Sequence, residues 1–137
     1  MNTSIEKLQA AQRHAIEHRP KVGGFPYLAE TLRQAGVKRN VWTLPTCQSV
    51  YYMDTGTVVQ QGVPLVSDVV EVPPFDRDAL QDALRSDQSG TTDFGEFLHN
   101  AWNAGVLWYE VDFEKRVVTY HGVDEKTYTE AYPEVGV

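Results

Sequence analysis

Cysteine is almost missing from this chain: of 137 residues, only Cys47 carries a thiol. A lone cysteine makes no internal disulfide, which points away from disulfide-built secreted domains and toward a reducing compartment. Basic residues are also scarce, 12 Lys and Arg against 19 Asp and Glu, for a formal net charge of −7. Nonspecific nucleic-acid binding needs a dense basic face, so nucleic acid is not an expected partner. No apolar run approaches the length that spans a bilayer, and Met1-Asn2-Thr3-Ser4-Ile5-Glu6 lacks the charged and apolar regions of a signal peptide. No membrane association is expected, and the expected location is the cytoplasm. Also missing are a glycine-rich phosphate loop, a Gly-x-Ser-x-Gly elbow and a zinc-type cysteine set. These absences lower the expectation of an enzyme without removing it, and they imply no cofactor.

What is present suits one compact domain over 1–137. Hydrophobic residues are 42% and aromatics 11%, enough to build a real core at this length. The charge is unevenly spread. Residues 1–40 hold seven basic and three acidic residues, and residues 41–137 hold the other five basic and sixteen acidic ones. Either the two ends neutralise each other within the fold, or the surface is polarised and steers a charged ligand or a head-to-tail partner.

The chain also reads as if written twice. Phe25 opens a helical run that ends in Ala35-Gly36-Val37, and Phe94 opens another that ends in Ala104-Gly105-Val106. The offset is 69 in both cases, from 25 to 94 and from 36 to 105, and it also carries Tyr51 onto Tyr120. A repeat near half the chain length predicts two similar supersecondary units packed together, over about 4–61 and 76–131, joined by a connector at 62–75.

Local signals fill in each unit. Ser4 is read as the cap of a first helix over about 4–18, with Ile5, Leu8, Ala11 and Ile16 on its apolar stripe. Pro26 suits the first turn of a second helix that runs through Ala35, and Gly36 closes it. Strands are expected at 40–44, 48–53 and 57–61, with Asp54-Thr55-Gly56 as a turn. Asp76 is read as the cap of a third helix through about Arg85, and Asp93 as the cap of a fourth through Ala104. Strands at 107–113, 116–121 and 126–131 follow, with Tyr128 aligned on Val59. Helix, helix and three strands, given twice, predicts an α+β two-layer fold whose halves share one core.

Several residues are candidates for chemistry. Arg85, Asp87 and Gln88 form a dense polar group after the third helix. One reading pairs Asp87 with Arg85 as local structure; the other makes the group a clamp for a small anionic or amide-bearing ligand. Cys47, in Leu44-Pro45-Thr46-Cys47-Gln48-Ser49, is either a half-buried apolar residue or a nucleophile served by His99 or His121. Glu110, Asp112 and Glu114 alternate with Tyr109, Val111 and Phe113, which predicts a solvated face backed by a buried one, with Lys115 and Arg116 offsetting the charge. His14 and His18 have a metal-compatible spacing but no evident third ligand, and no metal is expected.

The combination of Gly23-Gly24-Phe25-Pro26-Tyr27-Leu28-Ala29-Glu30, Leu44-Pro45-Thr46-Cys47-Gln48-Ser49, Ala83-Leu84-Arg85-Ser86-Asp87-Gln88-Ser89-Gly90 and Tyr109-Glu110-Val111-Asp112-Phe113 resembles an uncharacterised bacterial and prophage family. Val118-Thr119-Tyr120-His121-Gly122 and Tyr132-Pro133 fit it as well. This is the domain of unknown function 1398 family, YdfO-like in fold and often labelled "phage envelope protein". The resemblance covers nearly the whole chain, with Gly95 standing where a proline is expected. It implies a compact two-layer α+β fold and no catalytic residues. The expectation that follows is a non-enzymatic binding or protein-interaction module, with another protein or a second copy as partner, using the seam between the halves with Arg85, Asp87 and Gln88 at one edge. The competing expectation is a small enzyme using Cys47 or a carboxylate such as Asp112 in a cleft.

Overall fold

The computed structural model describes residues 3–137. Its helices are α1 (Thr3–His18), α2 (Gly24–Gln34), α3 (Arg77–Gln88) and α4 (Phe94–Asn103); its strands are β1 (Val37–Thr43), β2 (Gln48–Met53), β3 (Thr57–Gln61), β4 (Trp108–Asp112), β5 (Val117–His121) and β6 (Thr127–Ala131). All strand pairs are antiparallel, in the order β3-β2-β1-β4-β5-β6. Two three-stranded meanders therefore meet edge to edge through β1 and β4, where Asn40 lies opposite Val111 and Trp42 opposite Tyr109. The helices cover one face of the sheet, as α+β packing requires. The other face carries Arg39, Tyr52, Glu110 and Thr119, none of them buried.

The order helix, helix, strand, strand, strand occurs twice, but the detail departs from strict repetition. Tyr51 in β2 lies opposite Val58, whereas Tyr120 in β5 lies opposite Tyr128. Tyr128 thus corresponds in register to Val58, not to Val59. The longer turn between β5 and β6, with Asp124 and Glu125 both at positive φ, absorbs the extra residue.

The apolar stripes explain which helix faces are buried, and they correct the expectation for α1. Leu8, Ala11 and Ala15 are buried there, while Ile16 is 70% exposed and Ile5 is 39% exposed. Small alanines at that spacing let α1 lie close against its neighbours. Ser4 stands inside α1 and pairs its hydroxyl with that of Thr55 at 2.7 Å, tying the helix to the β2–β3 turn. In α3, Leu80, Ala83 and Leu84 are buried, and in α4, Phe97, Leu98, Ala101 and Trp102 are. Asp76 accepts a bond from Ala79 N, and Asp93 forms a reciprocal capping box with Glu96.

Gly36 and Gly105 end α2 and α4 at φ 101° and 88°. Both positions are closed to a side chain for a second reason. A Cβ at Gly36 would strike the Asp54 carboxylate, and one at Gly105 would strike the backbone of Pro74 and Phe75. The connector at 62–75 is held at its two ends more than in its middle. Leu65 and Val66 donate to Pro45 O, and Asp76 donates to Ala104 O at 2.7 Å, but in the middle Val69 is 93% exposed and Val70 50%.

Candidate functional site

The helix hairpins α1–α2 and α3–α4 each pack within themselves far more than against each other. Between them, over the centre of the sheet, lies a cavity of about 1250 Å³. Its floor follows from strand register. Trp42, Tyr109 and Tyr120 in the lining are successive cross-strand partners on β1, β4 and β5, and Tyr128 on β6 continues the row beyond the cavity, so one row of aromatic rings crosses four strands. The ring centroids step by 6.3, 5.5 and 6.4 Å along the row. Phe94, at the start of α4, meets Trp42 edge-on at 5.3 Å. Although its stripe position suggests the core, Phe94 is 42% exposed, because it stands at the cavity mouth.

Polar atoms converge on this aromatic floor and find no partner. Tyr51, Tyr109 and Tyr120 are each 6% exposed and all line the cavity. Their hydroxyls make no hydrogen bond among the described residues. Burial first, and then the neighbouring acidic groups, pushes Tyr109 and Tyr120 well above the usual phenol range. Both therefore remain protonated donors at neutral pH. The Thr92 hydroxyl, also in the lining, is buried and unpartnered. A polar atom buried in this way costs free energy unless something satisfies it.

Asp87 completes the set. It follows Leu80 and Leu84 at helical spacing, so its side chain leaves α3 on the buried face, and it lines the cavity half-buried. Burial raises its carboxyl above the ordinary range, partly offset by Arg19. Asp87 does not pair with Arg85. Positions 85 and 88 share a helix side that 87 does not, so Arg85 and Gln88 turn toward β6 instead. There Arg85 grips Glu130 with both terminal nitrogens at 2.8 Å. Gln88 donates to Glu130 Oε1 at 2.8 Å and Tyr128 to Oε2 at 2.7 Å. These donors hold the Glu130 carboxyl down at about 2, with the Arg85 bond as the main cause. The three residues read together from sequence thus all border the cavity, but two of them are engaged by Glu130. The third stripe position after Leu80 and Leu84 was the signal that separates Asp87 from its neighbours.

The remaining candidates lie elsewhere. Cys47 is outside the cavity lining, is buried, and donates its thiol to Leu44 O at 3.5 Å. Burial raises its pKa, the opposite of what activates a nucleophile. Asp112 accepts from the backbone of Glu114 and Lys115 and so serves as the β4–β5 turn cap. Glu110 pairs with Arg39 at 3.0 Å and approaches His121 at 3.8 Å, rather than being offset by Lys115 or Arg116. Arg116 reaches back to Glu30 on α2 and to Glu134. His14 and His18 stack on each other at 4.3 Å, with His14 at 3.1 Å from the Tyr27 hydroxyl. Among the described residues, no group of three or more His, Cys, Asp and Glu could hold a metal ion, and no helix is long and apolar enough to cross a membrane.

The model of one family, described as a protein of unknown function (DUF1398), matches residues 13–131. The chain belongs to this family. The match spans the last turns of α1, all of α2, both meanders, α3 and α4, and so takes in most of the residues that border the cavity of this DUF1398 protein. Curated relatives from Mycobacterium tuberculosis and Mycobacterium bovis, each an uncharacterised protein, are 58% identical over 135 residues. The alignment covers 98% of this chain and 82% of theirs.

Proposed function

We propose that this DUF1398 protein is a small-molecule-binding protein that holds a ring-bearing ligand in the seam between its helix hairpins. The observation that carries the reading is the aromatic floor, whose own phenol groups are unpartnered. Ligand sites are concave, largely apolar and furnished with a few convergent polar groups, typically over ~300–1,000 Å³. The seam offers that combination at slightly larger size. Among the described residues no histidine, cysteine or serine lines it, and the acids Asp93, Glu96 and Glu130 are engaged by helix caps or by Arg85, which favours a binding reading over covalent catalysis. A reducing cytoplasm goes with this reading, since the single thiol needs no partner there.

A neutral probe tests it. The dye N-phenylnaphthylamine should gain fluorescence saturably with one site per chain. Leu28, on the α2 wall, is half-buried, and Leu28→Trp places an indole in the cavity. That variant should keep the circular dichroism spectrum and lose dye binding. Dye binding that never saturates, or that survives Leu28→Trp unchanged, would sink the proposal.

A further inference from the structure

We infer that the ligand of this cavity is a small organic cation, an amine or ammonium whose charge is held by Asp87 and whose body lies on the aromatic row. The inference rests on the cavity being a ligand site, and it adds the ligand's charge.

The case begins with which acids have acceptor capacity left. Glu130 is taken by Arg85, Gln88 and Tyr128. Asp93 and Glu96 cap α4 through each other's backbone. Asp87 alone among the acids lining the cavity has a carboxylate that accepts no hydrogen bond and forms no salt bridge among the described residues. It is nevertheless placed on the inward stripe of α3, where a leucine would continue the core. A half-buried carboxylate without protein donors is stabilised by a cation brought beside it.

The surroundings agree in sign. The faces of Trp42, Tyr109 and Tyr120 carry negative quadrupole density, which attracts ammonium groups and repels carboxylates. Tyr109 and Tyr120, each 6% exposed, bring unpartnered hydroxyl oxygens that can accept from an amine. The cations on the lining are Arg19, Lys21 and Arg85. Arg85 is neutralised by Glu130. Arg19 and Lys21 lie on the connection between α1 and α2, where Gly23 N donates to Gln88 O and the Lys21 side chain packs beside Gly90. They close one end of the seam, and Arg19 only partly offsets Asp87.

Three probes of nearly one shape separate the alternatives: benzylamine as cation, benzyl alcohol as neutral form, benzoate as anion. Intrinsic tryptophan fluorescence reports binding, since Trp42 stands on the floor. Benzylamine should bind about 10-fold tighter than benzyl alcohol, the margin of one charge-assisted hydrogen bond, with benzoate weakest. Asp87→Asn should erase that margin. If Asp87→Asn fails to fold, the wild-type protein still decides. Its benzylamine affinity should fall on acidification through the carboxylate range while benzyl alcohol affinity holds. Equal affinities, a preference for benzoate, or a preference indifferent to both Asp87→Asn and pH would overturn the inference. Dye binding without benzylamine preference would remove the charge assignment alone; failure of the dye as well would remove the cavity reading with it.

Discussion

Replacing Glu130 by glutamine tests the junction that ties α3 to β6. Its carboxylate takes four hydrogen bonds, from two nitrogens of Arg85, from Gln88 and from Tyr128. Glutamine keeps the shape, but it has one acceptor oxygen and turns an NH2 group toward the arginine. The fall in pKa from 4.5 to about 2 sets the scale. At ~1.4 kcal/mol per pKa unit, the network is worth at most roughly 3 kcal/mol. Arg85 is 56% exposed, so screening by water lowers the expected loss to about 1–2 kcal/mol. The pH dependence has a definite sign. A depressed carboxyl stabilises the fold fully above its unfolded value near 4.5, and the contribution is lost as pH falls toward 2. Urea unfolding followed by tryptophan fluorescence should therefore show Glu130→Gln about 1–2 kcal/mol less stable at neutral pH, and the difference should shrink below half at about pH 3. Glu30, also lowered to about 2 and mainly by Arg33, weakens both proteins alike in acid and drops out of the difference. A gap that stays the same between neutral and acidic pH would refute the reasoning.

Two further expectations concern the core and the floor. Leu80 is 0% exposed beneath α3, so Leu80→Ala should cost about 2–5 kcal/mol in the same urea assay, and a loss near zero would mean α3 is not seated as described. Tyr109 and Tyr120 are raised by burial, and Tyr132 is raised to about 12, again chiefly by burial. Raised phenols stabilise fully below their unfolded value near 10, and that contribution is lost as pH climbs past it. The urea midpoint should then fall above about pH 10, with the absorbance of these three tyrosinates rising only as the fold is lost; their ionisation at pH 10 in a native spectrum would contradict the burial.

Periodicity and caps made most of the architecture legible in the sequence. Asp76 and Asp93 announced helix starts because a short acidic side chain satisfies orphan amides. Gly36 and Gly105 announced helix ends because only glycine adopts those φ values freely. The alternation of Glu110 and Asp112 with Tyr109 and Val111 gave the two faces of β4 correctly. Boundaries were less clear: β1 begins at Val37, and α3 runs on to Gln88, since the polar residues at its end are paid for by Glu130, far off in sequence. The site was hardest to see. A row of rings exists only once β1 lies beside β4, and neither strand encodes its partner. The run Arg85, Asp87 and Gln88 looked like one feature because adjacency in sequence hides the helical turn that separates them. The relatives extend the likeness over nearly the whole chain but bring no activity to compare.

The pairing of β1 with β4 also governs how the molecule is made. Arg39 and Glu110 meet there across 71 residues, so the central seam of the sheet closes only after the second half has been made. Until Trp108 to Asp112 leave the ribosome, β1 presents an unpaired edge and the first half has nothing beside its outer strand. Such long-range closure slows folding and leaves a sticky intermediate. Nascent chains arrested between the two halves should therefore attract chaperones more strongly than the finished protein.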